Sequence, residues 1–273
     1  MFGPSPNLAW VQPSGPYPSE LFWFAGGIPL VQWYLRDYLQ LDVMTVTGST
    51  LGENLERLEK DGYFNLYTDF LENYGVKRDE IINPLEKAEL KGSIAVLYGN
   101  LAPQGAVVKY SAVVPEMMQH VGLARVFDSE EDCCLAVTEG KVKPGDVLII
   151  RYEGPRGSGM PENLMAAEAI MEVPELSNST VLITDGRYSG GTRGPCIGHV
   201  QPEAIDGGPI AVCENGDLIE VDIPNRKLNI IGFKGKQLDL TEVAQEIKSR
   251  LANWQEPPSP FTRGLMARFT AKK

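Results

Sequence analysis

The feature that most constrains this chain is a change of pattern at Gly92. Before it, residues 1–88 read as helical and are rich in Trp, Tyr and Phe. After it come short runs rich in Val and Ile, separated by Gly, Pro, Asn and Asp, the mark of strands joined by tight loops. The runs at 93–98, 106–110, 124–127, 147–152, 180–184, 209–212, 218–222 and 228–231 predict eight strands. Helices are expected over 130–138, with Ser129 as cap, and over 162–171, with Pro161 and Glu162 in the first turn. A third helix, over 240–252, follows the last strand. Helices scattered among strands fit a β-rich α/β domain, barrel-like or a curled sheet, better than a regular doubly wound sheet.

The leading segment carries its own helix signals. Pro29 in GGIPLVQWYLRDYLQ suits a first turn, where its missing N–H is not needed. Thr50 and Glu53 have capping-box spacing, and Gly75 closes the helix DFLENYG. These helices alone show no complete core. WQEPPSP reads as an extended connector and FTRGLMARFTAKK as a basic amphipathic end.

Charge excludes some partners. With 25 basic against 36 acidic residues the formal charge is -11, which repels nucleic-acid phosphates and anionic lipid surfaces. No apolar run approaches the roughly 20 residues that span a bilayer. The start, MFGPSPNLAW, lacks the basic and apolar regions of a secretory signal, so a cytoplasmic location is the default expectation. Cys133, Cys134, Cys196 and Cys213 form no CxxC pair, and the adjacent Cys133 and Cys134, on an expected helix, read as buried free thiols.

Three polar loops can carry chemistry. TDGRYSGGTRG follows a buried strand and sets four glycines around Ser189, where backbone N–H groups can line an anion site. It matches neither a P-loop nor a dinucleotide fingerprint, and it fails the GxSxG elbow. GPRGSGMPE places Glu162 where a helix dipole favours a carboxylate; beside the serine loop, Glu162 becomes a candidate ligand for a hard cation such as Mg²⁺. GNLAPQGAVVK is a third polar turn whose Asn100 and Lys109 can face one cleft, each being as readily a turn residue or a solvated cation. His120 and His199 have no partner at metal spacing, and His199 reads as a satisfied structural histidine.

Taken in order, GNLAPQGAVVK, RVFDSEE, KVKPGDVLIIRYEGPRGSGMPE, ITDGRYSGGTRG, IGHVQPEAIDGGPIA and IEVDIPNRKL resemble successive motifs of the dihydroxy-acid and phosphogluconate dehydratase family. AGGIP and DVMTVTGSTLGENL resemble the segment just before them, so the likeness runs from Gly26 to Phe269. It implies three parts: 1–88 as the helical end of the family's N-terminal domain, 89–238 as a swivelling β/β/α domain, and 239–273 as a C-terminal helix and tail. By motif position Ser189 corresponds to the proposed catalytic base and Glu162 to a Mg²⁺ ligand. The family's iron–sulfur ligands belong to upstream motifs, and none of the four cysteines falls in them.

The resemblance implies a hydro-lyase half that turns a 2,3-dihydroxy acid into a 2-keto acid, with the N-terminal half of the same enzyme as partner and a homo-oligomer as the assembly. The substrate is either the branched-chain amino-acid precursor or a sugar acid such as xylonate or phosphogluconate. A different reading makes the chain, by itself, a non-catalytic partner-binding domain whose aromatic surface, including Trp10, Trp23, Phe24 and Trp33, is covered by the other half. A hydrolase using Ser189 is a third.

Overall fold

The computed structural model describes residues 6–88, 92–190 and 192–271. The chain divides into two compact units, Met1–Ser93 and Ile94–Lys273. Among the described residues no helix is long and apolar enough to cross a membrane.

The first unit holds helices α1 (Ser19–Phe24), α2 (Gly27–Tyr34), α3 (Leu51–Lys60), α4 (Thr68–Asn73) and α5 (Arg78–Ile81). The expected capping box opens α3: the Glu53 N–H donates to the Thr50 hydroxyl at 3.2 Å, and the Thr50 N–H donates to the Glu53 carboxylate at 2.8 Å. Pro29 lies in the first turn of α2, and Gly75, at φ 67°, ends the α4 segment. A small core does form, around Leu21, Leu30, Phe64, Leu71 and Ile81. An extended N-terminal stretch helps to close it, because the Trp10 N–H donates to the Ile81 carbonyl at 2.8 Å. Of the four aromatic residues expected on an open surface, only Trp23 is exposed; Trp10, Phe24 and Trp33 are half-buried.

Among the described residues the second unit is built on a nine-stranded sheet. Its strands are β1 (Ala95–Leu97), β2 (Gly105–Val108), β3 (Gln119–Phe127), β4 (Val147–Ile150), β5 (Val181–Thr184), β6 (Cys196–Gln201), β7 (Leu218–Asp222), β8 (Lys227–Phe233) and β9 (Lys236–Gln237). They lie in the order β1-β2-β6-β5-β4-β3-β7-β8-β9. The run β3-β4-β5-β6 is parallel and the flanks are antiparallel.

Curling of this sheet has a local cause. The first half of β3 pairs with β7 and its second half with β4, so one strand serves two directions. At the far edge Tyr98, just past β1, exchanges backbone hydrogen bonds of 2.9 Å with Arg226 and Leu228, which brings the first strand back beside β8. The barrel-like α/β fold expected from the Val/Ile runs is the one observed.

Side-chain alternation along β4 and β5 separates two cores. Val147, Ile149, Val181 and Ile183 face the interior of the curl. Leu148, Ile150 and Leu182 face outward under α6 (Glu130–Thr138) and α7 (Leu164–Met171). Strands covered on both faces read as unbroken apolar runs, which is why these two were legible in the sequence. The short α8 (Pro174–Ser177) precedes β5; α9 (Leu240–Asn253) inserts Val243 and Ile247 into the inner core, and α10 (Gly264–Thr270) ends the chain.

Three expectations are corrected. Residues 209–212 form a 3-10 turn, not a strand: Pro209 has no N–H for a ladder, and Ile210, Ala211 and Val212 are apolar because the turn is buried. Strand β6 was missed because Gly198 and a left-handed His199, φ 56°, break its pattern. Helix α7 starts at Leu164, so Pro161 and Glu162 precede it rather than filling its first turn.

Candidate functional site

Parallel pairing of β4 with β5 makes their following loops leave the sheet at the same edge, where ligands of open α/β sheets collect. The loop after β4 is GPRGSGMPE and the loop after β5 is the serine loop. They are joined directly: Glu162 and Arg187 form a parallel bridge, and the Asn163 N–H donates to the Arg187 carbonyl at 2.8 Å. Glu162 and Ser189, predicted as metal ligand and base, thus lie on two segments locked side by side. Glu162 is exposed and Ser189 half-buried.

A buried carboxylate ties the base of both loops. Asp185 is fully buried and accepts the N–H groups of Tyr152, Glu153 and Ala204 at 3.1, 2.9 and 2.8 Å. Burial nevertheless pushes its carboxyl up to about 6, against those three donors and with the help of nearby Glu203. Asp185 therefore faces the fold, whereas Arg187 is exposed.

Amides of a glycine-rich loop do cradle an anion, and it comes from the chain itself. Glu203 is buried and accepts the N–H groups of Arg156 at 3.0 Å and Gly157 at 3.2 Å. Gly154 is required here, because a Cβ at that position would overlap the Glu203 carboxylate. Beside it Ser158 donates to Glu153 at 2.6 Å, and Glu130 accepts the Ala166 N–H at 2.9 Å. Burial raises the carboxyl pKa of both Glu153 and Glu130.

Lys109 comes from a third element. It follows β2, whose Val108 pairs with Ile197 of β6, and its ammonium donates to the carbonyls of Ser189, at 3.4 Å, and Gly190. Together Lys109, Tyr188, Ser189, Thr192, Cys196 and His199 line a cavity of about 180 Å³. On its other side Ser189 borders an open groove with Leu164, Met171 and Arg193.

Asn100 does not join Lys109 there. It is spent on the sheet, donating to the Ile230 carbonyl at 2.8 Å and accepting the Ile230 N–H at 2.6 Å. His199, expected as a satisfied structural histidine, stands at the solvent-facing rim of the cavity, where the desolvation it does undergo and then Arg187 lower its pKa. One residue escaped the sequence reading. Thr192 is only 3% exposed, lines the cavity, and has a buried hydroxyl without a hydrogen-bond partner. Its signal was its place in the SGGT run.

The donor sets fit the two implied inorganic groups differently. Glu162 is an exposed carboxylate at the loop junction, suited to one arm of a Mg²⁺ site. Among the described residues no three acidic, His or Cys side chains cluster as a metal site. The four cysteines are free thiols scattered over the unit, Cys133 and Cys134 on α6, Cys196 on β6 and Cys213 after the 209–212 turn, and among the described residues no three of them come together. They do not fit an iron–sulfur cluster.

Comparison with known proteins gives two family matches. The family model described as Dihydroxy-acid/6-phosphogluconate dehydratase C-terminal matches residues 80–272, and its N-terminal counterpart matches residues 4–54. The chain is 46% identical over 269 residues to a protein named dihydroxy-acid dehydratase from Caldanaerobacter subterraneus subsp. tengcongensis, covering 97% of this chain and 44% of that one. Proteins of the same name from Carboxydothermus hydrogenoformans and Methanosarcina barkeri are each 44% identical, with the same coverage. The chain thus spans under half the length of the relatives it matches.

Proposed function

This chain belongs to the dihydroxy-acid/6-phosphogluconate dehydratase family, and we propose that it forms the proton-moving half of a hydro-lyase active site. The substrate class is a 2,3-dihydroxy acid and the product a 2-keto acid. The observation that carries this reading is the bridge between the Glu162 and Arg187 segments, which sets a free carboxylate beside the serine loop.

The chemistry asks for a base at C2 and a leaving group at C3. Ser189 takes the proton from C2; the C–H electron pair forms the C2–C3 double bond as the C3–O bond breaks, and the departing hydroxyl leaves as water once protonated. The enol then tautomerises to the keto acid. Serine is a weak base, so its alkoxide needs positive charge or N–H donors nearby. Lys109 brings a cation to the serine loop. Thr192, with its unpartnered hydroxyl on the same wall, is placed to bind a substrate oxygen.

Glu162 would hold Mg²⁺ together with ligands from an N-terminal region of the kind the longer relatives possess. When bound, the ion supplies Lewis acidity and orients the substrate's carboxylate and C2 oxygen. An iron–sulfur cluster, if the whole enzyme uses one, would be held by residues outside this chain. A dihydroxy acid is favoured over a sugar acid as substrate, since these relatives bear the name dihydroxy-acid dehydratase.

The test is 2-keto acid formation from dihydroxyisovalerate and from several aldonic acids with Mg²⁺. It compares the chain alone with the chain mixed with a cluster-loaded N-terminal region taken from the Caldanaerobacter relative. Turnover in the mixture only, with dihydroxyisovalerate preferred, supports the proposal. No turnover in a verified assembly points instead to a non-catalytic partner-binding domain.

A further inference from the structure

We propose that Lys109 is a positioning residue for the serine base: its ammonium brackets the Ser189–Gly190 turn and fixes where the Ser189 hydroxyl meets the substrate. The inference rests on the dehydratase reading above and adds to it a residue that acts through Ser189.

The serine loop is fixed by backbone hydrogen bonds at its base and its return, and Lys109 reaches the turn between them. Its base is fixed by Asp185, by the Asn163 bond to Arg187 and by the His199 N–H, which donates to the Gly186 carbonyl at 2.8 Å. Its return is fixed by the Gly194 N–H, which donates to the Ala112 carbonyl at 3.0 Å. Between these anchors the Ser189 carbonyl accepts from the Thr192 N–H at 3.3 Å, a weak closure of the turn. Among the described residues a Cβ at Gly190 would meet nothing within 4 Å.

Lys109 adds a cation to that turn. It reaches the carbonyls of two successive residues from a strand 80 positions earlier in sequence, and both bonds are charge-assisted. The lysine is half-buried, and burial lowers its pKa. Desolvating a cation costs free energy unless carbonyl or carboxylate oxygens replace the lost water, and here two carbonyls do so. Because the base must lie within hydrogen-bond reach of the C2 proton, a displacement of about 1 Å at Ser189 lowers the rate about 100-fold.

The experiment compares wild type, Lys109→Met and Lys109→Arg in two readouts. The first is hydrogen exchange of peptides spanning residues 186–194 in the chain alone. The second is kcat and KM in the assembly with the N-terminal region. The expected result is exchange at the loop about tenfold faster in Lys109→Met with other peptides unchanged. In turnover, kcat falls about 100-fold while KM stays within about threefold, and Lys109→Arg recovers most of the loss because a guanidinium can also donate to two carbonyls.

Unchanged loop exchange in Lys109→Met overturns the proposal. So does a KM raised more than tenfold with kcat kept, which would make Lys109 a direct substrate contact. A wild-type assembly without turnover counts against the dehydratase reading, and loop exchange then decides the bracketing role by itself.

Discussion

The backbone N–H of Asn163 donates to the carbonyl of Arg187 at 2.8 Å, which fixes the residue before one and the residue two after the other, Glu162 and Ser189, on adjoining segments. Neither loop is positioned alone. The two are continuations of neighbouring parallel strands, with Ile150 registered opposite Thr184, and Asp185 at the start of the serine loop accepts the amides of Tyr152 and Glu153 at the start of the other.

Asp185 should make stability depend on pH in a direction opposite to an ordinary paired aspartate. Its folded-state pKa is raised from 3.8 to about 6. A carboxyl that binds its proton more tightly when folded contributes most below pH about 4, and that contribution is lost as the pH rises through about 6. Urea denaturation of wild type and Asp185→Asn across this range should show the wild-type advantage shrinking with rising pH, by on the order of 2–3 kcal/mol. A widening advantage would mean that the three N–H donors outweigh burial.

Two glycine substitutions should differ sharply in stability for a steric reason. Gly154→Ala drives a methyl into the Glu203 carboxylate and should cost about 1–3 kcal/mol. Gly190→Ala enters open space and should fall within about 0.5 kcal/mol of wild type. Urea midpoints measured side by side check both.

The native thiols should be nearly inert. Burial raises Cys134 to about 11 and Cys196 and Cys213 to about 12, and Cys133 is raised as well. At pH 8 a disulfide reagent should therefore react slowly with the folded chain and with all four cysteines in urea. Rapid stoichiometric labelling of the native chain would reopen the question of a thiolate site.

What could be read from the sequence follows from the range of the interactions concerned. Val147–Ile150 and Val181–Thr184 were legible because burial on both faces leaves an uninterrupted apolar run, and the α3 cap because its partners are three residues apart. Strand β6 was not, since a glycine and a left-handed histidine sit inside it. Residues 209–212 misled because an apolar run of four has no period to tell a turn from a strand. At the site, Ser189 and Glu162 were assigned from motif position alone, while the Ile230 partner of Asn100 and the bracket from Lys109 were invisible, because both depend on contacts across roughly 80–130 positions. Glu203 as the filler of the glycine loop is of the same kind.

The central claim is that Ser189 removes the C2 proton on a site to which Glu162 adds a carboxylate. The most direct measurement is single-turnover loss of the C2 hydrogen from dihydroxyisovalerate, followed in the assembled enzyme for wild type, Ser189→Ala and Glu162→Gln. Ser189→Ala should lower that rate by about 10²–10⁴-fold with stability unchanged, the range a general base supplies. Glu162→Gln should raise the Mg²⁺ concentration needed for half-maximal rate at least about tenfold, having replaced a charged oxygen ligand by a neutral one. Full-rate C2–H loss in Ser189→Ala would contradict the account and place the base elsewhere.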